Sequence, residues 1–330
     1  MKVSITIVTY NQEKTIAQTI ESVLHQEGNF DYEIVIGEDC STDNTWSICK
    51  QYADLYPQKI RLLPNTHNLG ILANFARTNL ACKGEYITGC AGDDYWCDNH
   101  KIEKQLDFLE NHPDYGVVTT EGYMLYVRTG VIKPGLSPRF TPIDGQIKSF
   151  YFSPTYSGGV FVPPLTQMYR ATLLNYIDFE EMIRRKFPVE DYPMQAIWSQ
   201  YTKFGHLQDI TCVYRVYKES ATFISYDNPH YMDYIRGIMN IRRYLNELFP
   251  KDACFSEQEM QEYEFYKEFL LYLHQLDYKK AKFLIANRES KIECSAKLLQ
   301  AKRFTKTWVH FVSFHFYKRY TEYKEIYKQT

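Results

Sequence analysis

The chain has 330 residues, with 38 Lys and Arg against 40 Asp and Glu and a formal net charge of −2. Such a near-neutral balance argues against a general nucleic-acid binder. No run approaches the ~18 apolar residues that a membrane span needs, and the short, partly polar first strand does not read as a signal peptide. Length gives a soft expectation of about two domains. The eight cysteines are scattered, with no C-x-x-C pair and no metal-ligand spacing. Free thiols in a reducing, cytosolic setting follow from that pattern. Aromatic residues make up 16% of the chain, through 29 Tyr and 20 Phe. That content suits sugar-facing surfaces and a Tyr-rich core equally.

Taken in chain order, residues 2–128 alternate strand and helix patterns. Val3–Val8 reads as a strand, followed by a helix whose apolar face is Ile16, Ile20, Val23 and Leu24. Tyr32–Gly37 reads as the second strand. Ser41-Thr42-Asp43-Asn44 then offers capping chemistry ahead of a helix over Thr45–Tyr56. Ile60–Leu63 is a third strand, and a helix near Ala73–Cys82 precedes Gly84, placed as a C-cap. Glu85–Cys90 is a fourth strand. Ile102, Gln105, Leu106 and Leu109 mark the next helix, which Pro113 stops. Val117–Thr120 and Tyr123–Val127 read as two further strands. This βαβα order predicts an α/β fold with a mostly parallel central sheet and helices on both faces.

From about 130 to 165 Pro and Gly punctuate a loop-rich segment, of the kind that is usually functional or mobile. Helices are expected near Leu173–Arg185 and Pro193–Phe204, then a closing strand at Cys212–Val216. From about 229 onward the pattern is helical. The stretch 302–328 mixes Trp308, Val309, Phe311, Val312, Phe314 and Phe316 with Lys and Arg. It suits either a helix packed on the rest of the protein, the commoner case, or a contact with anionic lipid.

Three polar clusters fall where apolar strands end: Thr9-Tyr10-Asn11, Glu38-Asp39-Cys40-Ser41 and Ala91-Gly92-Asp93-Asp94. If the strands are parallel, all three lie on the carboxyl edge of one sheet, where ligands bind in open α/β folds. Paired carboxylates there suit a divalent cation and the phosphates it carries. No G-x-x-x-x-G-K-[ST] or G-x-G-x-x-G is present, which argues against a P-loop nucleotidase and a dinucleotide-binding Rossmann site. His67, His100 and His206 form no ligand pair and read as loop or surface residues.

The order and spacing of Val8-Thr9-Tyr10-Asn11, Glu33–Asp43, Asn68-Leu69-Gly70 with Asn74, Gly84–Ile87 and Gly92-Asp93-Asp94-Tyr95-Trp96 resemble family-2 glycosyltransferases of the GT-A fold. The likeness covers residues 1–125 strongly and 150–225 more weakly, and is greatest to bacterial enzymes of capsule, lipopolysaccharide and exopolysaccharide synthesis. It implies a GT-A (Rossmann-like) catalytic domain over about 1–225. Within it, the nucleotide-sugar half is about 1–125 and the acceptor half about 126–225, with a helical C-terminal region at 226–330. It further implies that Thr9, Tyr10, Asn11 and Asp39 hold the nucleotide, with Tyr10 against the base and Asp39 free to accept a bond from base or ribose. Asp94 would bind Mn²⁺ or Mg²⁺, with Asp93 on ribose or a metal-bound water. The family's leading acid falls at Ala91, and the His of a later segment falls at Tyr217. Arg215 in that segment could offset diphosphate charge, and Arg170 is a weaker binding candidate. Val189-Glu190-Asp191-Tyr192-Pro193 resembles the segment that supplies the general base, which makes Asp191 the first candidate and Glu190 the second.

What the resemblance implies is a cytoplasmic, metal-dependent, inverting transferase. It would move a sugar from a UDP-linked donor to a saccharide or lipid-linked acceptor in surface-polysaccharide synthesis. Its C terminus offers a peripheral contact with the inner face of the membrane. Two other classes stay open. One is a sugar-nucleotide or glycan-binding module without turnover, which Ala91 and Tyr217 favour. The other is a sugar-phosphate nucleotidyltransferase, against which the glycine-free Thr9–Lys14 loop counts.

Overall fold

The computed structural model describes residues 1–135, 151–152, 162–217, 226–253, 255–275, 277 and 279–280. Most of the loop-rich segment and the aromatic stretch 302–328 lie outside the described residues.

Four strands pair in parallel in the order β3-β2-β1-β4: β1 (Val3–Thr9), β2 (Tyr32–Glu38), β3 (Ile60–Pro64) and β4 (Tyr86–Gly89). They are linked by α1 (Ile16–Leu24), α2 (Thr45–Leu55) and α3 (Ile71–Leu80). Then come β5 (Tyr95–Trp96), α4 (Lys101–Asn111), β6 (Tyr115–Tyr126), β7 (Val131–Pro134) and β8 (Met168–Arg170). The described part continues with α5 (Phe179–Arg184), α6 (Asp191–Trp198), β9 (Lys203–Val216), α7 (Tyr231–Leu248) and α8 (Glu257–His274).

The α/β architecture is as expected, but the sheet is mixed rather than mostly parallel. β8 runs antiparallel to β4, β6 antiparallel to β8, and β5 antiparallel to β9, while β6 and β9 are parallel. Two reversals return β6 and β9 to the direction of β1–β4. Residues near the end of β9 therefore reach the same edge as Thr9, Glu38 and Asp94.

Alternation along the strands fills two cores, one on each face. Val3, Ile5, Ile7, Ile34 and Ile36 meet Ile16, Ile20 and Val23 of α1 and Ile102, Leu106 and Leu109 of α4. On the other face Ile87, Val117 and Tyr169 meet Leu72 and Ala76 of α3 and Met194, Ile197 and Trp198 of α6. Each such aliphatic burial is worth roughly 1.5–3 kcal/mol. Ile241, Tyr244 and Leu245 of α7 join the second core. Arg243 of α7 pairs with Glu257 and Glu264 of α8 at 2.8 and 3.1 Å. Compactness groups Met1–Gln275 as one unit and Leu276–Thr330 as another.

Several local expectations are corrected. The two strands expected at Val117–Thr120 and Tyr123–Val127 are one 12-residue strand, β6, irregular in its pairing with β9 around Glu121. The helix expected over Leu173–Arg185 is a 3₁₀ turn, Ala171–Tyr176, followed by α5, because Asp178 interrupts it and caps Glu181 N at 2.9 Å. The helix expected to run to Phe204 ends at Trp198, and the chain then enters β9, nine residues earlier than expected. Gly84 is not a C-cap. Helix α3 ends at Leu80, and a Cβ on Gly84 would sit 2.4 Å from Ser4 N of β1. His206 is not a surface residue. It lies in β9, with Nδ1 2.9 Å from Thr119 Oγ1 and Nε2 3.3 Å from Glu121.

Candidate active site

The carboxyl edge is assembled from the loops that follow β1, β2 and β4. Parallel pairing aligns Thr9 with Glu38, and Asp39 N donates to Thr9 O at 3.0 Å. Gly92 N donates to Val8 O at 3.0 Å, which brings the Asp93-Asp94 turn against the same loop. The three clusters singled out in the sequence are thus neighbours in space.

Two of these loops hold each other through side chains. Asn11 takes a left-handed backbone (φ 53°), its N–H donates to Ser41 Oγ at 2.9 Å, and its Oδ1 accepts from Thr42 N at 2.8 Å. Asn is one of the few side chains that tolerate that conformation. Gln12 N donates to Thr45 Oγ1 at 2.7 Å, and Glu13 N to Asp43 Oδ2 at 3.1 Å. Glu13 Oε2 in turn accepts from the backbone and the side-chain amide of Asn44 at 3.1 and 2.8 Å. The capping expected of Ser41–Asn44 reduces to Asp43, whose Oδ1 accepts from Thr45 N at 2.9 Å; Asn44 precedes α2 without a side-chain bond to it. Burial alone would raise the Asp43 carboxyl, but the Thr45 and Glu13 donors hold it below the usual range.

Asp39 is buried and already engaged. Its Oδ1 accepts from Leu69 N and Asn65 Nδ2, both at 2.8 Å, and its Oδ2 from Gly70 N at 3.0 Å. A carboxylate offers about four acceptor positions, so about one is left. The sequence reading had this side chain free.

The acidic turn is held from three directions. Thr15 and Thr19 donate to Gly92 O at 2.8 and 3.0 Å, and Thr19 also to Asp94 O at 2.6 Å. Arg215 N donates to Asp94 Oδ1 at 2.8 Å. The Arg215 guanidinium bonds Asp93 O and Gln18 Oε1 and lies 4.7 Å from the Tyr95 ring centroid. Arg215 is 7% exposed, so its charge is spent on fixing the turn. A Cβ at Gly92 would lie 2.4 Å from Gln12 Oε1 and 2.6 Å from Thr9 Oγ1, so only glycine fits there.

Asp93 is half-buried and Asp94 only 2% exposed. Burial pushes both carboxyls above the usual range. The neighbouring Asp93 charge adds to this at Asp94, while Arg215 and Gln12 work against it at Asp93. A cavity of about 480 Å³ opens at this edge and is lined by Tyr10, Asn11, Gln12, Glu13, Lys14, Thr15, Asp43, Asp93 and Tyr217. Asp93 is on the wall; Asp94 is not part of it. Tyr10 is 43% exposed, an accessible ring face on the same wall.

The two carboxylates are hard oxygen donors made costly by burial, an arrangement that a cation relieves. Among the described residues no group of three His, Cys, Asp or Glu side chains could hold a metal by itself. The donor set therefore fits Mn²⁺ or Mg²⁺ only if phosphate oxygens complete it.

Asp191 and Glu190 start α6. Glu190 occupies the N-cap position with no capping bond from its side chain, and Asp191 Oδ1 accepts from Tyr192 N at 2.7 Å. Burial raises both carboxyls, and their mutual charge adds to this at Glu190. Gln195, one turn on and on the same helix face as Asp191, bonds Val162 O at 2.8 Å and Gln167 Oε1 at 3.4 Å. Gln167 O accepts from Thr88 Oγ1 of β4 at 2.8 Å. This chain of bonds ties α6 to the strand that leads into Asp93-Asp94. Arg170 bonds Tyr115 O, Tyr86 Oη and Leu109 O, a structural role.

Gln12, Glu13, Thr15 and Thr19 escaped sequence reading as site residues. Gln12 and Glu13 directly follow Thr9-Tyr10-Asn11, so extending that cluster would have found them. The i, i+4 threonine pair at the start of α1 carried no sign of its reach to Gly92.

Residues 4–151 match the family model described as glycosyl transferase family 2. An uncharacterized Mycobacterium bovis protein is 40% identical over 111 residues, covering 34% of this chain and 32% of its own. The Escherichia coli protein WfaP, named UDP-Glc:alpha-D-GlcNAc-diphosphoundecaprenol beta-1,3-glucosyltransferase, is 37% identical over 108 residues, 33% of this chain and 41% of its own. The match thus spans less than half the length of either relative. The mannosyltransferase PcManGT of Pyrobaculum calidifontis, solved with GDP-Man and Mn²⁺, superposes with a TM-score of 0.51 at 15% identity. That superposition covers 95% of this chain and 84% of PcManGT, and it speaks to the fold.

Proposed function

With residues 4–151 forming a glycosyl transferase family 2 domain, we propose that this protein moves a sugar from a nucleotide-diphosphate donor to an acceptor hydroxyl in the synthesis of a cell-surface polysaccharide. The observation that carries the reading is the edge itself: three polar clusters, one cavity, half-buried Asp93 on its wall and buried Asp94 next to it in the chain. Uridine is the favoured nucleoside. Asp39 has about one acceptor position left, which suits the single ring N–H of uracil, and the name of WfaP carries UDP-Glc. The name of WfaP also carries a diphosphoundecaprenol acceptor, so a saccharide on a lipid carrier is the favoured acceptor. The reading carries a cytoplasmic location, where the free thiols stay reduced.

Tyr10 lies against the base, Thr9 and Asn11 shape the floor beneath it, and Asp93 and Asp94 hold Mn²⁺ or Mg²⁺. Bound there by Asp93 and Asp94, such a cation would supply positive charge against the departing diphosphate. Arg215 keeps the acidic turn in place. Asp191 takes the proton of the acceptor hydroxyl as its oxygen bonds the anomeric carbon. The bond from that carbon to the phosphate oxygen breaks, and its electron pair leaves with the nucleoside diphosphate. Direct displacement inverts the anomeric centre. Glu190 is the alternate base.

A second reading, donor binding without turnover, is favoured by Ala91 and Tyr217, which depart from the family's acid and His. One experiment separates the two. Thermal shifts are measured with UDP, GDP, CDP, dTDP and their sugars, each with Mn²⁺, Mg²⁺ or chelator, on wild type and Asp94→Ala. Metal-dependent stabilisation that the variant loses, together with transfer to a lipid-linked or free saccharide, supports the enzyme. The same stabilisation with no transfer to any acceptor supports the binding module. No stabilisation by any donor sinks both.

A further inference from the structure

We propose that Lys14 is the protein's own cationic contact for the donor diphosphate, the role that sequence reasoning gave to Arg215. This rests on the reading that the cavity beside Asp93 takes a nucleoside diphosphate. Three observations lead to it.

First, Arg215 is not available. Its backbone N–H and its guanidinium are committed to Asp94, Asp93 and Gln18, its plane lies over Tyr95, and almost none of it reaches solvent. Moving it onto a phosphate would release the turn that carries both carboxylates.

Second, Lys14 is the one basic side chain on the cavity wall among the described residues. It is exposed, and among the described residues no hydrogen bond or ion pair holds its ammonium. Most other lysines near a carboxylate in this fold are taken: Lys2 by Glu85 and Glu110, Lys50 by Asp54, Lys104 by Asp98 and Asp209. Lys14 follows Glu13 directly, yet the Glu13 carboxylate bonds Asn44 instead. A lysine on its flexible four-carbon stem is a point charge that can follow a phosphate.

Third, the wall is otherwise acidic. Glu13, Asp43 and Asp93 line it with Lys14. Glu13 accepts from Asn44 and Asp43 from Glu13 N, so both carboxylates bond across the loops, and the donors around Asp43 hold its carboxyl below the usual range. A divalent cation offsets part of this field. Transfer then leaves the diphosphate with one more negative charge than the donor carried, since the bond to the sugar becomes a phosphate oxygen. A mobile ammonium on the same wall answers that added charge, and it gives the nucleoside diphosphate a tighter hold than the nucleoside alone.

The test is calorimetric binding of UDP, GDP, uridine and guanosine to wild type, Lys14→Met and Lys14→Arg, with Mn²⁺ present. The better-bound nucleoside diphosphate should bind Lys14→Met roughly tenfold or more weakly, the scale of one charge-assisted hydrogen bond. The matching nucleoside should bind all three proteins alike, and Lys14→Arg should recover most of the diphosphate affinity. Unchanged diphosphate affinity in Lys14→Met overturns the assignment. So does an equal loss for diphosphate and nucleoside, which would mark a structural role. If wild type binds no nucleoside diphosphate at all, the donor reading itself fails, and Lys14 with it.

Discussion

The edge formed by β1, β2 and β4 and the start of α6 use polar groups in opposite ways. At the edge nearly every candidate side chain is already bonded. Asn11 grips Ser41 and Thr42, Glu13 grips Asn44, and Asp39 accepts three bonds from the 65–70 loop. At α6 the side chain of Glu190 makes no capping bond, and Asp191 accepts from the N–H of the next residue. The first arrangement fixes shape in advance, which is what recognition of a rigid base and ribose needs. The second leaves two carboxyls whose affinity for protons is raised by burial, which is what proton transfer needs. Recognition and proton chemistry are thereby separated along the chain but joined through Gln195, Gln167 and Thr88.

The largest effect expected is at α6. Asp191→Asn should lower kcat by about 10²–10⁴, the range of general-base catalysis, with donor binding unchanged by thermal shift. Glu190→Gln should cost less than tenfold. The working base is the deprotonated form, so the rate should fall as pH drops through a value above the ordinary carboxylate range. That acid limb should vanish from the residual rate of Asp191→Asn. Reversed losses in the two variants would make Glu190 the base.

At the edge, Asp94→Asn should remove metal-dependent donor binding and yet stabilise the metal-free protein. The sign follows from burial. A carboxyl raised in the folded state holds its proton more tightly than when unfolded, so stability declines as pH rises from the unfolded to the folded value. Asn keeps an acceptor for Arg215 N and removes the buried charge. Each kcal/mol released should raise Tm by about 2–4 °C. In metal-free buffer at neutral pH, a Tm below that of wild type would contradict this account of the turn.

Much of the edge was legible because strand ends are local. Apolar runs that stop at Thr9, Glu38 and Cys90 show where β1, β2 and β4 end, and right-handed β–α–β connections put those ends together. The second half was less legible because its order depends on distant partners. Nothing in Lys203–Asp209 resembles a strand until β6 lies beside it; the helix expected to reach Phe204 stops at Trp198, and Lys203 and Phe204 pair with β6 instead. The helix expected over Leu173–Arg185 failed at Asp178, a residue that caps better than it propagates. Within the site, residue types were readable and commitments were not. Asp39 looks free and Arg215 looks able to meet a phosphate until their neighbours, 26–31 and 121–197 residues away, are in place.

The smallest effects allow the sharpest contrast between the two regions. Asn11→Ala removes the Oδ1 acceptor used by Thr42 and places alanine in a left-handed backbone, at a cost of about 1–3 kcal/mol. Asp178→Ala removes the cap from α5, at a cost of about 0.5–2 kcal/mol. Both should lower Tm by a few degrees. Only Asn11→Ala should also raise the donor KM, by several-fold with kcat little changed, because the loop it loosens forms the cavity wall. Asp178→Ala should leave donor KM where it was, since α5 packs against the second core rather than the edge. Equal shifts in donor KM for the two variants would mean that stability, not the preset shape of the β1 and β2 loops, governs donor binding. The division between a rigid recognition edge and a proton-transfer helix would then lose its physical basis.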